Sequence, residues 1–166
     1  MVFTLLRVID AGMYLLDIPT GQTRQIVPKK MMAGSPSWAP DNETLYFGGK
    51  DPSGERSNPD IYKFTVSDYS VEPVLNSSAS ELYPEVSRDG KYLVYTKMAP
   101  GERQTVYVYD IENDRSTQLV YLGKTGAASF PMWSADGKSV IYQLIVPGNT
   151  YPDLYQIDFD PSIFDK

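Results

Sequence analysis

The sequence predicts an all-β fold made of repeated antiparallel sheets, and three observations carry that expectation. The first is a segment that recurs. Ser35-Pro36-Ser37-Trp38-Ala39-Pro40-Asp41-Asn42, Tyr83-Pro84-Glu85-Val86-Ser87-Arg88-Asp89-Gly90 and Phe130-Pro131-Met132-Trp133-Ser134-Ala135-Asp136-Gly137 align without gaps. Pro36 and Pro84 lie 48 residues apart and Pro84 and Pro131 lie 47 apart, and Asp41, Asp89 and Asp136 keep those intervals. A fixed period of this length marks stacked supersecondary units. The second is a paired strand pattern within each unit, described below. The third is composition: 13 Tyr among strand-forming Val, Ile, Leu and Phe, with 12 Gly and 13 Pro scattered as punctuation.

The elements follow in order. Asp-Gly between two apolar runs is a hairpin signal, because Gly accepts positive φ and Asp bonds the turn backbone. Asn42 stands where Gly90 and Gly137 stand in the other copies, and asparagine also tolerates the left-handed conformation. After each turn comes an apolar run: Leu45-Tyr46-Phe47, Leu93-Val94-Tyr95 and Val140-Ile141-Tyr142. Their lack of alternation predicts strands buried on both faces. A third strand follows in each unit: Asp60-Ile61-Tyr62-Lys63-Phe64, Thr105-Val106-Tyr107-Val108-Tyr109 and Asp153-Leu154-Tyr155-Gln156-Ile157. Gly12 to Asp17 is a fourth copy of it, with Tyr14 lying 48 residues before Tyr62. Outer strands are placed at 23–27, 71–75 and 117–120, and the first unit's strands near 2–9, 13–18 and 23–27. Polar loops at 48–59, 97–104 and 146–152 all join second to third strands. They project from one rim, where repeat proteins carry binding surface.

The pattern resembles the PD40 (TolB-like, WD40-like) repeat, whose form is a Pro-x-Trp-Ser-Pro-Asp-Gly turn, a hydrophobic strand and an Ile-Tyr-x-x-Asp strand. Trp38-Ala39-Pro40-Asp41 and Trp133-Ser134-Ala135-Asp136-Gly137 match it closely, whereas Val86 replaces the Trp in the middle copy. The resemblance implies β-propeller blades: about 3.5 four-stranded antiparallel blades, near 1–34, 35–82, 83–129 and 130–166, in a single domain or arc. It also implies an extracytoplasmic, periplasmic setting and protein partners. The start of the chain, Met1 to Arg7, lacks the length and flanks of a signal peptide, so a cytoplasmic setting stays open.

The ends leave three alternatives. Counting periods puts the first blade's innermost strand before Met1 and the last blade's outermost strand near or past Lys166, with Ile163-Phe164 as its stub. The chain closes as an irregular four-bladed ring, or two chains pair so that 14 and 14 strands make seven blades, or a partner caps the arc. Capping or pairing ranks first, because open edges and apolar faces are a liability in water.

The chain of 166 residues contains no His and no Cys. Ser-His-Asp and Cys-His nucleophilic sites, and the common His/Cys zinc sites, are therefore excluded. No Gly-x-Ser-x-Gly elbow, P-loop or Gly-x-Gly-x-x-Gly is present. A net charge of −6 with no basic stripe argues against nucleic acid, which needs cations to displace phosphate counterions. No apolar run reaches the about 20 residues of a membrane-spanning helix. Asp51, Glu55, Asp60 and Asp153 lack the spacing of a calcium loop. No cofactor, metal or catalytic residue is assigned.

The expected role is a non-enzymatic protein–protein interaction or scaffold module, docking through its loop rims and incomplete end blades on protein partners or on a second copy. Two alternatives are a carbohydrate-binding or carbohydrate-cleaving propeller using acidic channel residues, and the propeller fragment of a peptidase. The recurrent tyrosines are read as packing between blades. The candidate interaction residues are Tyr69, Tyr121 and Tyr151, aromatic side chains that break the repeat, with Glu81 and Glu85, which flank Pro84 near the start of an innermost strand. For those two acids a solvated rim position is the expectation, with a channel carboxylate as the alternative.

Overall fold

The computed structural model describes residues 2–5, 12–27, 29–51, 53–55, 57–123 and 126–165. Among the described residues, fourteen strands form four separate antiparallel sheets in an open, incomplete propeller. The first sheet holds β1 (Val2–Leu5), β2 (Gly12–Leu16) and β3 (Thr23–Val27). The second holds β4 (Gly34–Trp38), β5 (Thr44–Lys50), β6 (Pro59–Thr65) and β7 (Val71–Leu75). The third holds β8 (Ser80–Val86), β9 (Tyr92–Met98), β10 (Thr105–Asp110) and β11 (Arg115–Gln118). The fourth holds β12 (Ala127–Trp133), β13 (Ser139–Ile145) and β14 (Asp153–Asp158).

Register shows which strands the end sheets contain. Tyr14 pairs Phe3 as Tyr62 pairs Phe47, so the first sheet is the second to fourth strands of a blade. Tyr155 pairs Tyr142 as Tyr107 pairs Tyr95, so the last sheet is the first to third. This overturns the seven-blade arithmetic of a two-chain ring. Joining the last sheet of one copy to the first of another gives two three-stranded sheets, not one blade of four. The four-bladed ring is replaced by an open arc, whose last sheet exposes Leu154 to 75%.

Several strand expectations shift. Residues 48–50 extend β5 instead of opening the rim loop, and Pro59 already belongs to β6. The outer strand of the third sheet starts at Arg115, two residues before its expected start. Residues 6–9 of the expected first strand lie outside the described residues. Ile163 and Phe164 do not form a strand stub. They sit in a 3₁₀ turn, Pro161–Asp165, that crosses onto the third sheet. Phe159 meets Tyr92 at 4.9 Å and Trp133 at 5.0 Å, Phe164 stacks on Tyr92 at 6.0 Å, and the Arg115 guanidinium donates to the Phe164 carbonyl at 3.2 Å.

Three apolar cores lie between successive sheets, and strand alternation builds them. Leu45, Phe47, Tyr62 and Phe64 face the first sheet and bury Met13, Val27 and Met31. Tyr46 and Ile61 point the other way and meet Leu93, Tyr95 and Tyr109. Val94, Val106 and Val108 face the last sheet and meet Val140, Tyr142 and Leu144. The recurrent tyrosines are thus mostly core: Tyr46, Tyr62, Tyr95, Tyr109 and Tyr142 are all buried, although Tyr155 is exposed.

The hairpin turns work as the sequence predicts. The Asp89 carboxylate accepts from Ser87 Oγ at 2.6 Å and the Lys91 amide at 3.1 Å, and Asp136 repeats this with Ser134 and Lys138. Asp41 accepts from the amides of Glu43 and Thr44. Gly90 and Asn42 hold φ of 75° and 57°. A Cβ on Gly90 would come within 3.0 Å of Pro40, so this glycine also lets two neighbouring turns approach.

The Ser134 hydroxyl and Lys138 amide hold the Asp136 carboxyl below the usual range. At Asp89 and Asp41 burial opposes the shift, but the donated hydrogen bonds prevail and both lie low. A lowered native pKa gives stability that is present above the unfolded value and lost as pH falls through the native one. Urea midpoints are expected to be flat above about pH 5 and to fall steadily below about pH 4. Substituting both Asp89 and Asp136 by Asn should flatten that acid limb.

Candidate interaction surfaces

The last sheet carries the largest departure from the repeat. Leu154 aligns with Ile61 and Val106 and faces where a following blade would lie. Ile61 and Val106 are 0% exposed, whereas Leu154 is 75% exposed. Met132 and Ile145 share that face and are 50% and 46% exposed, with Ile141 half-buried beside them. Ile141 and Leu154 sit on neighbouring strands in register, since Ile141 pairs Gln156 and Gln143 pairs Leu154. The sheet therefore presents apolar side chains at positions that are dry in the two interior blades, interspersed with Gln143 and Gln156. Reading the sequence for non-repeating aromatics missed these residues. The signal that finds them is the alignment itself, applied to the unit at the end of the array.

A second surface lies along the inner strands. Ser35, Tyr83 and Phe130 each precede the repeat proline and each hold positive φ, at 53°, 54° and 52°. The ladder register shifts across the same point in β4, β8 and β12. These are β-bulges, one per inner strand, which bend the strand and re-aim its side chains. Tyr83 and Phe130 stack with centroids 4.0 Å apart, over a recess of about 330 Å³ that Glu85 also lines.

Glu85 is half-buried there, and burial pushes its carboxyl up, against the pull of a hydrogen bond from the Trp133 main-chain amide. Glu81 is not a solvated rim charge. It is 1% exposed, accepts from Ser77 Oγ and lies 3.8 Å from Lys97 Nζ. Its place opposite Lys97 in the β8–β9 ladder explains why a carboxylate is tolerated inside. The structure thus separates the two acids: Glu85 borders the recess, and Glu81 is sealed within the third blade.

The three tyrosines part company as well. Tyr69 holds φ of 58° in the β6–β7 turn, meets Phe64 edge-on at 5.5 Å, and lies under the Arg24 guanidinium at 3.6 Å. It ties the second blade to the first. Tyr121 is 72% exposed and borders a polar groove of about 550 Å³ with Glu102, Arg103, Gln104 and Gln118. Tyr151 is 78% exposed on the loop between β13 and β14. Tyr121 and Tyr151 remain free for contact. Among the described residues, no group of three or more His, Cys, Asp or Glu is placed to hold a metal ion. Among those residues, too, no helix is long and apolar enough to cross a membrane.

The family model for the TolB beta propeller domain (PD40) matches residues 1–165. The chain belongs to the TolB β-propeller domain family. Solved TolB structures superpose well on this TolB-type propeller. TolB from Acinetobacter baumannii is 25% identical with a TM-score of 0.79, and the match covers 95% of this chain and 37% of that one. The putative TolB from Agrobacterium tumefaciens is 14% identical with a TM-score of 0.76, covering 93% and 55%. The TolB-type arc thus spans 37% and 55% of the length of those two proteins. An oligogalacturonate lyase in complex with manganese shares the fold at 15% identity and a TM-score of 0.61, over 92% of this chain and 42% of that one. Comparison with curated proteins gave no match.

Proposed function

We propose that this TolB-type propeller is a non-enzymatic, extracytoplasmic interaction module that docks a protein partner on the open face of its last blade. The observation that carries this reading is Leu154 at 75% exposure where Ile61 and Val106 are at 0%. Burying one such side chain stabilises by about 1.5–3 kcal/mol, so Met132, Ile145 and Leu154 together offer a partner a strong apolar anchor. The β13–β14 loop, with Tyr151 exposed on it, adjoins that sheet and supplies polar contacts beside it. The chain's lack of His and Cys, together with the family match, supports a binding role over a catalytic one. The carbohydrate alternative is weakened because Glu81 is sealed and held by Ser77 and Lys97. No observation favours the peptidase-fragment alternative.

The test is site-specific photocrosslinking in the cells that make the protein, with the photoreactive residue at Ile145 or Met132 and, as control, at Ile18 on the first blade. A discrete crosslinked protein from positions 145 and 132, absent from position 18, is expected. Crosslinks equal at all three positions, or none, would remove the reading.

A further inference from the structure

The third blade has all four of its strands and a sheet packed on either side of it. Two connections meet at its rim: 99–104 between β9 and β10, and 119–126 between β11 and β12. In the second blade the corresponding connections, 51–58 and 76–79, are laced together, because the Asn58 side-chain amide donates to the carbonyls of Ser77 and Ala79. In the third blade the ties sit at the strand ends. Thr105 Oγ and Gln118 Nε2 both donate to the Val120 carbonyl, at 2.6 and 2.8 Å, and the Ala128 amide donates to the Gln104 carbonyl at 2.9 Å. Residues of both connections line the polar groove of about 550 Å³, a volume within the range of small-molecule clefts, about 300–1,000 Å³.

The lining has a particular chemistry. Tyr121 is 72% exposed on it, although the adjacent Leu119 and Val120 are buried. With the ring stand one carboxylate, Glu102, one guanidinium, Arg103, and two carboxamides, Gln104 and Gln118. Among the described residues no salt bridge engages Glu102 or Arg103. An exposed aromatic face beside planar groups with paired donors or acceptors matches a pyranose ring. Its C–H groups lie against the π face while neighbouring hydroxyls reach the polar groups two at a time. Sugars with all-equatorial hydroxyls leave both ring faces to C–H and stack best. Gly101 and Gly123, at φ of 79° and 59° with no atom within 4 Å of a Cβ, add no side chain to the rim.

Charge and shape narrow the class further. Glu102 and Arg103 offset each other, so neither an anion nor a basic peptide gains from the site. A peptide side chain would find no apolar pocket, because Leu122 is the one large aliphatic residue of the lining and is half-buried.

We infer that this groove binds a short, uncharged oligosaccharide of gluco-configured pyranose rings, one ring stacked on Tyr121 and its hydroxyls held by Glu102 and Arg103. The site lies on a different blade from the docking face and does not rest on that reading. It also uses none of the inner-strand acids.

The experiment titrates the full chain with two probes, cellotriose and triacetylchitotriose, and follows amide NMR shifts, with trigalacturonate as the charged comparison. At least one neutral probe is expected to bind with a dissociation constant on the order of 1 mM. It should move the amides of Gly101, Gly123 and Gly126 and leave those of Gly48 and Gly90 in place. Tyr121→Ala should weaken binding about tenfold, the size of a lost ring contact. Tyr121→Phe, which keeps the face and drops the hydroxyl, should stay within about twofold of the unaltered chain. Both variants change an exposed side chain, so folding is preserved. No saturable shift with either neutral probe, tighter binding of trigalacturonate, shifts confined to residues away from the groove, or equal weakening by Phe and Ala would each overturn the inference. None of these outcomes alters a crosslink from Ile145, so failure of the groove and failure of the docking face are read separately.

Discussion

Replacing Phe47 by alanine is expected to cost about 3–5 kcal/mol and to lower the urea midpoint more than any other single truncation between the first two blades. Phe47 is fully buried, stacks on Tyr62 at 5.8 Å, and sits in the core with Met13, Val27 and Phe64. The cost combines lost transfer energy with the cavity left behind, and this site is poorly able to collapse. Its walls include Met13, Val27, Tyr62 and Phe64, whose strands are each held in place by hydrogen-bonded ladders. Neighbouring blades meet mainly through such cores, with Arg24 on Tyr69 as a lesser tie here, so the deletion acts at a joint, and the first sheet is expected to come loose before the rest. Denaturation followed by Trp38 fluorescence, which reports on that core, should show a transition preceding the far-ultraviolet circular dichroism change. A coincident single transition with a cost under about 1.5 kcal/mol, the range of a volume-conserving swap, would show that the joint is softer than its burial implies.

Truncating Phe159 to alanine is the second large effect, expected to cost about 2 kcal/mol because the ring is only partly buried. The ring stands edge-on to both Tyr92 and Trp133, one from the third sheet and one from the fourth. It therefore clips two blades together from below, and the 3₁₀ turn behind it adds Phe164 over Tyr92 and under Arg115. Losing the ring should wet the indole of Trp133, red-shifting emission in a protein with Trp38 replaced by Phe, and should speed exchange over β14. Tyr121→Ala, which removes an exposed ring, should leave both readouts unchanged.

The repeat was legible because its turns need particular residues. An Asp that can accept two or three local hydrogen bonds, followed by Gly or Asn at positive φ, leaves few other readings. What escaped the sequence is what depends on neighbours. Glu81 reads as a surface charge on type alone; only the ladder that sets it opposite Lys97, and the loop that brings Ser77 to it, explain its burial. Ile163 and Phe164 read as a strand stub because counting periods puts an outer strand there, yet Asp160-Pro161 breaks the chain direction and Tyr92, far back in the sequence, offers the better burial. Tyr69 broke the repeat and so read as a contact residue, but its partners Arg24 and Phe64 belong to this chain. The candidate surface was legible in principle, since Leu154 already aligned with Ile61 and Val106.

The three left-handed residues ahead of the repeat prolines have a consequence for how such a scaffold can diversify. Ser35, Tyr83 and Phe130 differ in size and polarity yet hold the same backbone angle within two degrees. The kink is thus imposed by the proline and the surrounding ladder, at a cost of about 1–2 kcal/mol per residue, and not by the side chain that occupies it. Contour and chemistry are uncoupled at these bulges of the inner strands: selection can exchange a hydroxyl for an aromatic ring there without reshaping the frame that presents it.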